Sequence, residues 1–307
     1  MAPLDVRMRA VQITVDGAAL RHNLDVVRQR AAGAKVFAVV KADAYGHGAV
    51  TVARALPDCD GFAVVTCAEA AQLRAAGIGT PILVMQGVRE NGDVALCREL
   101  SLWPAVHHAS QAAMIASEVR PLTAWLKVDT GMGRLGVMPE EVPGLLARTD
   151  VHWQGVMTHF ACADDPGNEH TRQQIARFQA LEMAAGLERS IGNSAAISAW
   201  TGLPGQWVRP GLMLYGCNPL DGIALPDDVA LKPVMSATAP LISIKRFAAG
   251  SGIGYAQRYT CPEPMDIGYA AVGYADGLPR VLDARADVRV GGRRCPIVGR
   301  VSMDSIA

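Results

Sequence analysis

A lysine ends the apolar run Val36-Phe37-Ala38-Val39-Val40, and Lys41-Ala42-Asp43-Ala44-Tyr45-Gly46-His47-Gly48 opens directly after it. Five successive apolar residues suit a strand covered on both faces, as in a parallel sheet. An ammonium at the end of such a strand is expected to be desolvated, with a lowered pKa, and its free amine can form an imine with an aldehyde. A strand-end lysine can equally snorkel to solvent, so the other loops decide between the two readings. Asp129-Thr130-Gly131-Met132-Gly133-Arg134-Leu135-Gly136 follows the run 123–128. Its glycines let backbone approach a ligand, and its arginine offers a planar fork to a carboxylate or phosphate. Thr158-His159-Phe160, Asn193-Ser194 and Arg209-Pro210-Gly211-Leu212 also follow strand-like runs. Taken singly, each is an ordinary turn.

These loops meet only if a scaffold gathers the ends of their strands. Apolar runs at 36–40, 61–65, 81–85, 102–106, 123–128, 151–157, 191–192 and from 207 to 215 alternate with amphipathic stretches at 49–56, 68–76, 91–100, 111–117, 140–147 and 171–186. About eight strands at β/α spacing predict an α/β fold, a (β/α)8 TIM barrel, with the loops at the carboxyl ends of its strands. The loops after the seventh and eighth strands are those with which barrels often bind phosphate. An open doubly wound sheet is the competitor, but no dinucleotide glycine fingerprint follows the first strand. Residues 217–233 read as a Pro-, Gly- and Asp-bearing connector. Beyond it the pattern turns to short strands, with one at 235–244 and a hairpin of 287–290 and 293–298 joined by Gly291-Gly292. The predicted organisation is an N-terminal segment 1–9, a barrel domain 10–230 and a mainly β domain 231–307, with the first strand, 10–15, joining the second domain.

Charge and composition narrow the function classes. Lys plus Arg and Asp plus Glu both number 29, so no basic or acidic excess points to nucleic acid or an anionic membrane. No apolar stretch has membrane-spanning length, and residues 1–9 lack a signal-peptide core. Seven scattered cysteines without paired spacing argue against structural zinc or a disulfide framework and for a reducing compartment, the cytoplasm. No metal site is expected.

The motifs together resemble alanine racemase, a pyridoxal 5′-phosphate enzyme of the barrel class, from about Val11 to Ala307. The carriers are the loop at Lys41, Lys127 to Gly136, Met157-Thr158-His159-Phe160 and Arg209 to Gly216. Gly254-Tyr255, Gly273-Tyr274-Ala275-Asp276-Gly277 and Gly299-Arg300-Val301-Ser302-Met303-Asp304 extend the match. The resemblance implies that Lys41 holds pyridoxal phosphate through an imine and serves as one catalytic base. Tyr255, brought by the partner of a homodimer with shared active sites, would be the other. Inverting a stereocentre needs a proton removed from one face and delivered to the other, and a phenol does this where a cation or donor stabilises its anion. Arg209 is expected to face the pyridine nitrogen and, having donors only, to leave it unprotonated. His159 would orient Arg209. Tyr45, Ser194, Gly211 and Leu212 match phosphate contacts, the last two through backbone amides. Arg134 and the backbone amide of Met303 would bind the substrate carboxylate, Tyr274 and Tyr45 would narrow the entrance, and Lys127 occupies a position that can be carbamylated.

The implied activity is interconversion of L- and D-alanine, supplying D-alanine for peptidoglycan and the cell wall or serving alanine catabolism. The alternatives are an amino-acid racemase of broader specificity and a truncated pyridoxal phosphate-binding protein without turnover. The chain ends at Ser305-Ile306-Ala307, inside a strand-like run, where the family continues for several dozen residues. The second domain is therefore expected to be incomplete.

Overall fold

A computed structural model describes residues 9–117, 120–181, 186–282 and 286–307. They form two compact units, Val15–Met235 and a second made of residues up to Thr14 together with Ser236–Ala307. In the first, eight parallel strands close into a barrel in chain order. They are Lys35–Val39, Gly61–Val64, Ile82–Val84, Trp103–Val106, Thr123–Lys127, His152–Met157, Glu188–Gly192 and Trp207–Val208. The ring shuts where Lys35 and Val36 register with Trp207 and Val208, which excludes the open sheet.

Alternation along the strands builds two cores. Phe37, Val39, Ala63, Leu83, Ala105, Trp125, Met157 and Trp207 fill the barrel interior, while the intervening residues, such as Val36, Ala38, Phe62, Val64 and Leu126, pack outward in the larger cluster with the helices. Phe37 stacks on Trp207 at 3.9 Å between centroids and meets Trp125 edge-on at 5.9 Å. Gly155 makes room for this packing, because a Cβ there would fall 2.7 Å from the Trp125 ring and 2.2 Å from the Glu188 carbonyl.

Several predicted elements are shorter than the apolar pattern implies. The run from 207 to 215 is a two-residue strand, broken at Pro210, followed by the 3-10 turn Leu212–Tyr215. Proline brings no N–H to a ladder. The expected strand 235–244 divides at Ala239-Pro240 into Met235–Thr238 and Leu241–Phe247 for the same reason. The helix expected at 140–147 is a 3-10 turn, Pro139–Glu141, leading into Val142–Leu146. That expected at 171–186 runs Glu169–Gln179, capped by the Asn168 side chain on His170 N–H. Its predicted stretch 182–185 lies outside the described residues, as does the N-terminal segment apart from Arg9.

In the second unit Gln12–Val15 pairs with Met235–Thr238, and Leu241–Phe247 lies antiparallel to Met265–Ala270. Gly252–Ile253 pairs with Tyr259–Thr260, and the hairpin Asp287–Val290 with Arg293–Pro296. Ile253, Cys261, Ile267 and Val298 form one small core, and Val272, Ile297, Val301 and Ile306 another.

The exit from the first barrel strand sets the direction of everything after it. Ala42, Asp43, Ala44 and Tyr45 carry φ of 50°, 51°, 54° and 56°, so the chain makes one left-handed turn of non-glycine residues. Such a turn brings Cβ against the following carbonyl at roughly 1–2 kcal/mol per residue. Local bonds hold it: Ala44 N–H donates to Val40 O at 2.9 Å, Gly48 N–H to Asp43 O at 2.9 Å and Ala49 N–H to Asp43 Oδ1 at 2.7 Å. Ala42 is exposed, so Ala42→Gly removes a Cβ penalty at little cost in burial. Offset by the greater freedom of glycine in the unfolded chain, the variant should be more stable by about 1 kcal/mol. A urea midpoint below that of the parent would contradict the strained turn.

Candidate active site

The loops that leave the carboxyl ends of the barrel strands come together around Lys41. Two strand residues before it, Val39 donates its N–H to Pro210 O at 3.0 Å and accepts the Tyr215 hydroxyl at 2.8 Å. Burial, followed by the nearby Tyr45 phenol, pushes the Tyr215 phenol well above its usual range. It therefore serves as a fixed donor. Its ring packs against those of Tyr45 and His47, with centroids 4.8 and 4.6 Å apart. Tyr45 in turn lies against Gly211, where a Cβ would sit 2.4 Å from the tyrosine oxygen. Only glycine allows that approach. Ser194 Oγ accepts the N–H groups of Gly211 and Met213 at 2.8 and 3.3 Å, and a hydroxyl so engaged keeps its own proton to donate. Leu212 is exposed at the start of the same 3-10 turn.

Arg209, at the end of the eighth strand, is buried. Its Nη1 donates to Ser190 Oγ at 2.6 Å and its Nη2 to the Thr158 carbonyl. His159 Nδ1 stands 3.5 Å from Nη2, a longer approach, so serine and carbonyl are the firmer partners. Burial draws the Arg209 guanidinium down to about 10, which leaves it charged at neutral pH. Burial first, and then Arg209, Lys127 and Arg134, push the His159 imidazole down to about 3. A neutral ring can accept from the guanidinium through Nδ1.

The loop with Arg134 is organised from within. Asp129 Oδ1 accepts the N–H groups of Gly131, Met132 and Gly133 at 2.8, 2.7 and 3.2 Å, and Oδ2 that of Arg134 at 3.1 Å. Burial opposes the carboxylate, but these four donors hold its pKa below the ordinary value. Behind it, Thr130 and Thr158 share a buried hydroxyl pair at 2.8 Å, and Thr158 Oγ1 donates to Val128 O at 2.9 Å. Gln174 closes the network on Thr130 Oγ1 and the His159 carbonyl at 3.3 and 3.0 Å. Arg134 itself is exposed.

The desolvated amine is Lys127, not the strand-end Lys41, which is only part-buried. Lys127 is 7 % exposed. Burial, then the charges of Arg209 and Arg134, lower its pKa from 10.5 to about 8.

Tyr255, Tyr274 and Met303 belong to the second unit. Tyr255 opens the 3-10 turn Tyr255–Gln257 and is 67 % exposed. Tyr274 and Met303 sit on adjacent turns, since Tyr274 N–H donates to Ser302 O and Ala275 N–H to Met303 O, both at 3.0 Å. Arg9 links the two turns through Asp276 and, at 2.9 Å, Asp304.

Sequence reasoning named the chemical groups but missed their supports: Ser190, the Thr158 carbonyl, Tyr215 and Asp129. Asp129 had a signal, an acceptor heading a glycine-rich loop. Ser190 and Thr158 act through strand register and Tyr215 through the turn after the eighth strand, and these had none. The Lys127 shift has a direct consequence. Below pH 8 both folded and unfolded chains hold this proton, and the fold bears the full penalty of burying it. Stability should rise as pH climbs from 8 to 10.5. In CO2-free buffer Lys127→Met should therefore gain about 3 kcal/mol at pH 7, a gain that vanishes toward pH 10.5. Chemical denaturation at both pH values checks this, and a gain independent of pH would contradict it.

Residues 15–219 match the family model described as alanine racemase, N-terminal domain, and residues 234–307 that of the C-terminal domain. A catabolic alanine racemase of Pseudomonas putida is 43% identical over 307 residues, covering 98% of this chain and 85% of that protein. The crystal structure of a biosynthetic alanine racemase from Pseudomonas aeruginosa superposes with a TM-score of 0.88 at 40% identity, over 97% of this chain and 85% of that one. An alanine racemase from Bartonella henselae with covalently bound pyridoxal phosphate gives 0.84 at 29% identity, with 97% and 85% covered. Both units carry the match, and the chain belongs to the alanine racemase family.

Proposed function

We propose that this chain interconverts L- and D-alanine with pyridoxal 5′-phosphate held on Lys41, and that Lys41 and Tyr255 handle the substrate proton on opposite faces. The observation that carries the reading is the convergence of Lys41, Lys127, Arg134 and Arg209 at one end of the barrel, where burial first and these cations second lower the Lys127 amine and the His159 imidazole. Such a site is short of anions, and this cofactor and substrate bring a phosphate and a carboxylate.

The residues present fit the cofactor. Lys41 offers an amine. Ser194 offers a hydroxyl proton beside Gly211, whose missing side chain leaves room for Tyr45. Arg209 offers donors that keep their protons. When bound, the cofactor supplies an electron sink that weakens the substrate Cα–H bond. Lys41 takes or returns that proton on its own face. Tyr255 of a second copy does so on the other, in a homodimer with shared sites, and its exposure within its own chain supports that role. Arg209, steadied by Ser190, Thr158 and His159, holds the ring nitrogen without protonating it. Ser194, Tyr45 and the amides of Gly211 and Leu212 bind the phosphate. Arg134 and the Met303 amide bind the carboxylate. Tyr45 and Tyr274 narrow the entrance, and a rigid, small site favours alanine because larger side chains overpack it.

Lys127 carries a carbamate in this reading. Its neutral amine nitrogen bonds to the carbon of CO2, one proton leaves to solvent, and the ammonium is replaced by an anion beside Arg134. Repeating the Lys127→Met comparison with bicarbonate present tests this, since only the wild-type protein should gain stability. The free state of all seven cysteines, and the absence among the described residues of a helix long and apolar enough to cross a membrane, support a cytoplasmic setting.

Tyr255→Phe should lower racemisation in both directions by roughly 10²–10⁴-fold, the usual worth of a positioned acid–base group. Borohydride trapping should still place the cofactor label on Lys41. Turnover near the parent level, or a label on another lysine, would overturn the assignment.

A further inference from the structure

The capping box Thr66-Cys67-Ala68-Glu69 does more than start a helix. In such a box the N-cap hydroxyl accepts the N–H three residues on, and the acid three residues on returns to the N-cap N–H. Both bonds are present: Glu69 N–H donates to Thr66 Oγ1 at 3.2 Å, and Thr66 N–H to Glu69 Oε2 at 3.0 Å. Val65 N–H joins Oε2 at 2.8 Å. One carboxylate oxygen thus completes the cap. The other, Oε1, accepts the N–H of Ala42 at 2.7 Å, across 27 residues of chain.

Ala42 is the residue directly after Lys41 and the first of the left-handed turn. Two other donors of that turn find partners close by in the chain, Ala44 N–H on Val40 O and Gly46 N–H on Ala42 O. Ala42 reaches outside, to a charged acceptor on the helix Cys67–Ala75 that follows the neighbouring barrel strand. We propose that Glu69 is a positioning residue, fixing the peptide after Lys41 and so the direction in which the lysine amine leaves the barrel. This rests on Lys41 being the amine that works at the site. Bonds to an ionised carboxylate are stronger than neutral ones, so this contact suits a strained peptide that must not drift.

Three proteins separate positioning from simple helix capping: the parent, Glu69→Gln and Thr66→Ala. Glu69→Gln keeps the shape but leaves one acceptor oxygen for donors that now use two. Thr66→Ala weakens the same cap without touching the bond to Ala42. The first readout is hydrogen exchange of the Ala42 amide in ligand-free protein, which needs no turnover. The second is the rate at which added pyridoxal phosphate is trapped on Lys41 by borohydride, located by peptide mass. Glu69→Gln should raise Ala42 exchange by roughly tenfold, as expected for losing a charge-assisted bond, and slow trapping on Lys41 several-fold. Thr66→Ala should lower the melting temperature while leaving both readouts within about twofold of the parent. If Glu69→Gln leaves Ala42 exchange unchanged, or if Thr66→Ala moves both readouts as far as Glu69→Gln does, Glu69 is a helix cap and nothing more. The Ala42 readout reports on Glu69 whatever the chain does to alanine, and loss of turnover on Tyr255→Phe reports on the reaction whatever Glu69 does.

Discussion

The first barrel strand delivers a lysine to the rim, and the chain must then turn without carrying that lysine away. Val39 is bonded on both sides, to Pro210 and to Tyr215, so the strand cannot slide along its axis. The next residues twist left-handed, against the preference of every L-residue in the turn. A right-handed helix begun at Lys41 would place Tyr45 elsewhere, and the close contact of Tyr45 with Gly211 would be lost. Strain in the turn is thus coupled to packing between the first and eighth strands. Strained backbone of this kind persists only where its surroundings over-determine it.

Around that rim the electrostatics follow first from burial and then from one buried guanidinium. Arg209 is satisfied by Ser190 and a carbonyl, neither of them charged, so its positive charge is hydrogen-bonded but not neutralised. Lys127 and His159 respond by giving up protons more readily. A site in which cations outnumber carboxylates favours anionic ligands, and the more so where the charges are desolvated and interact through a lower dielectric. Asp129 offsets this only in part: its charge works against the lowering of the Lys127 pKa, while its oxygens accept the amides of its own loop.

Much of this was legible in the residues. Eight strand-like runs at regular spacing give a barrel because alternating burial needs two cores, and the glycines of the 129–136 loop, with Gly211, mark close approaches. Two kinds of feature were not legible. Strand ends depended on Pro210 and Pro240 overriding apolar runs, which hydrophobicity alone does not report. The deeply buried lysine is Lys127, while Lys41 is part-buried, because burial at a barrel rim depends on which side chain points inward. That is set by register with strands far away in sequence. Ser190 and Thr158 were hidden for the same reason, and Tyr215 because its hydroxyl meets Val39, 176 residues away in sequence.

In the proposed reaction the stereocentre is served by two different groups, an amine from the barrel and a phenol from the second unit of another copy. Hydrogen exchange at Cα in D2O reads each face separately. With cofactor-loaded Tyr255→Phe protein, one alanine enantiomer should keep trading its Cα hydrogen for deuterium while exchange of the other stops, because the remaining base reaches a single face. Equal exchange of both enantiomers in that variant would mean that one group serves both faces, and the two-base account would be wrong.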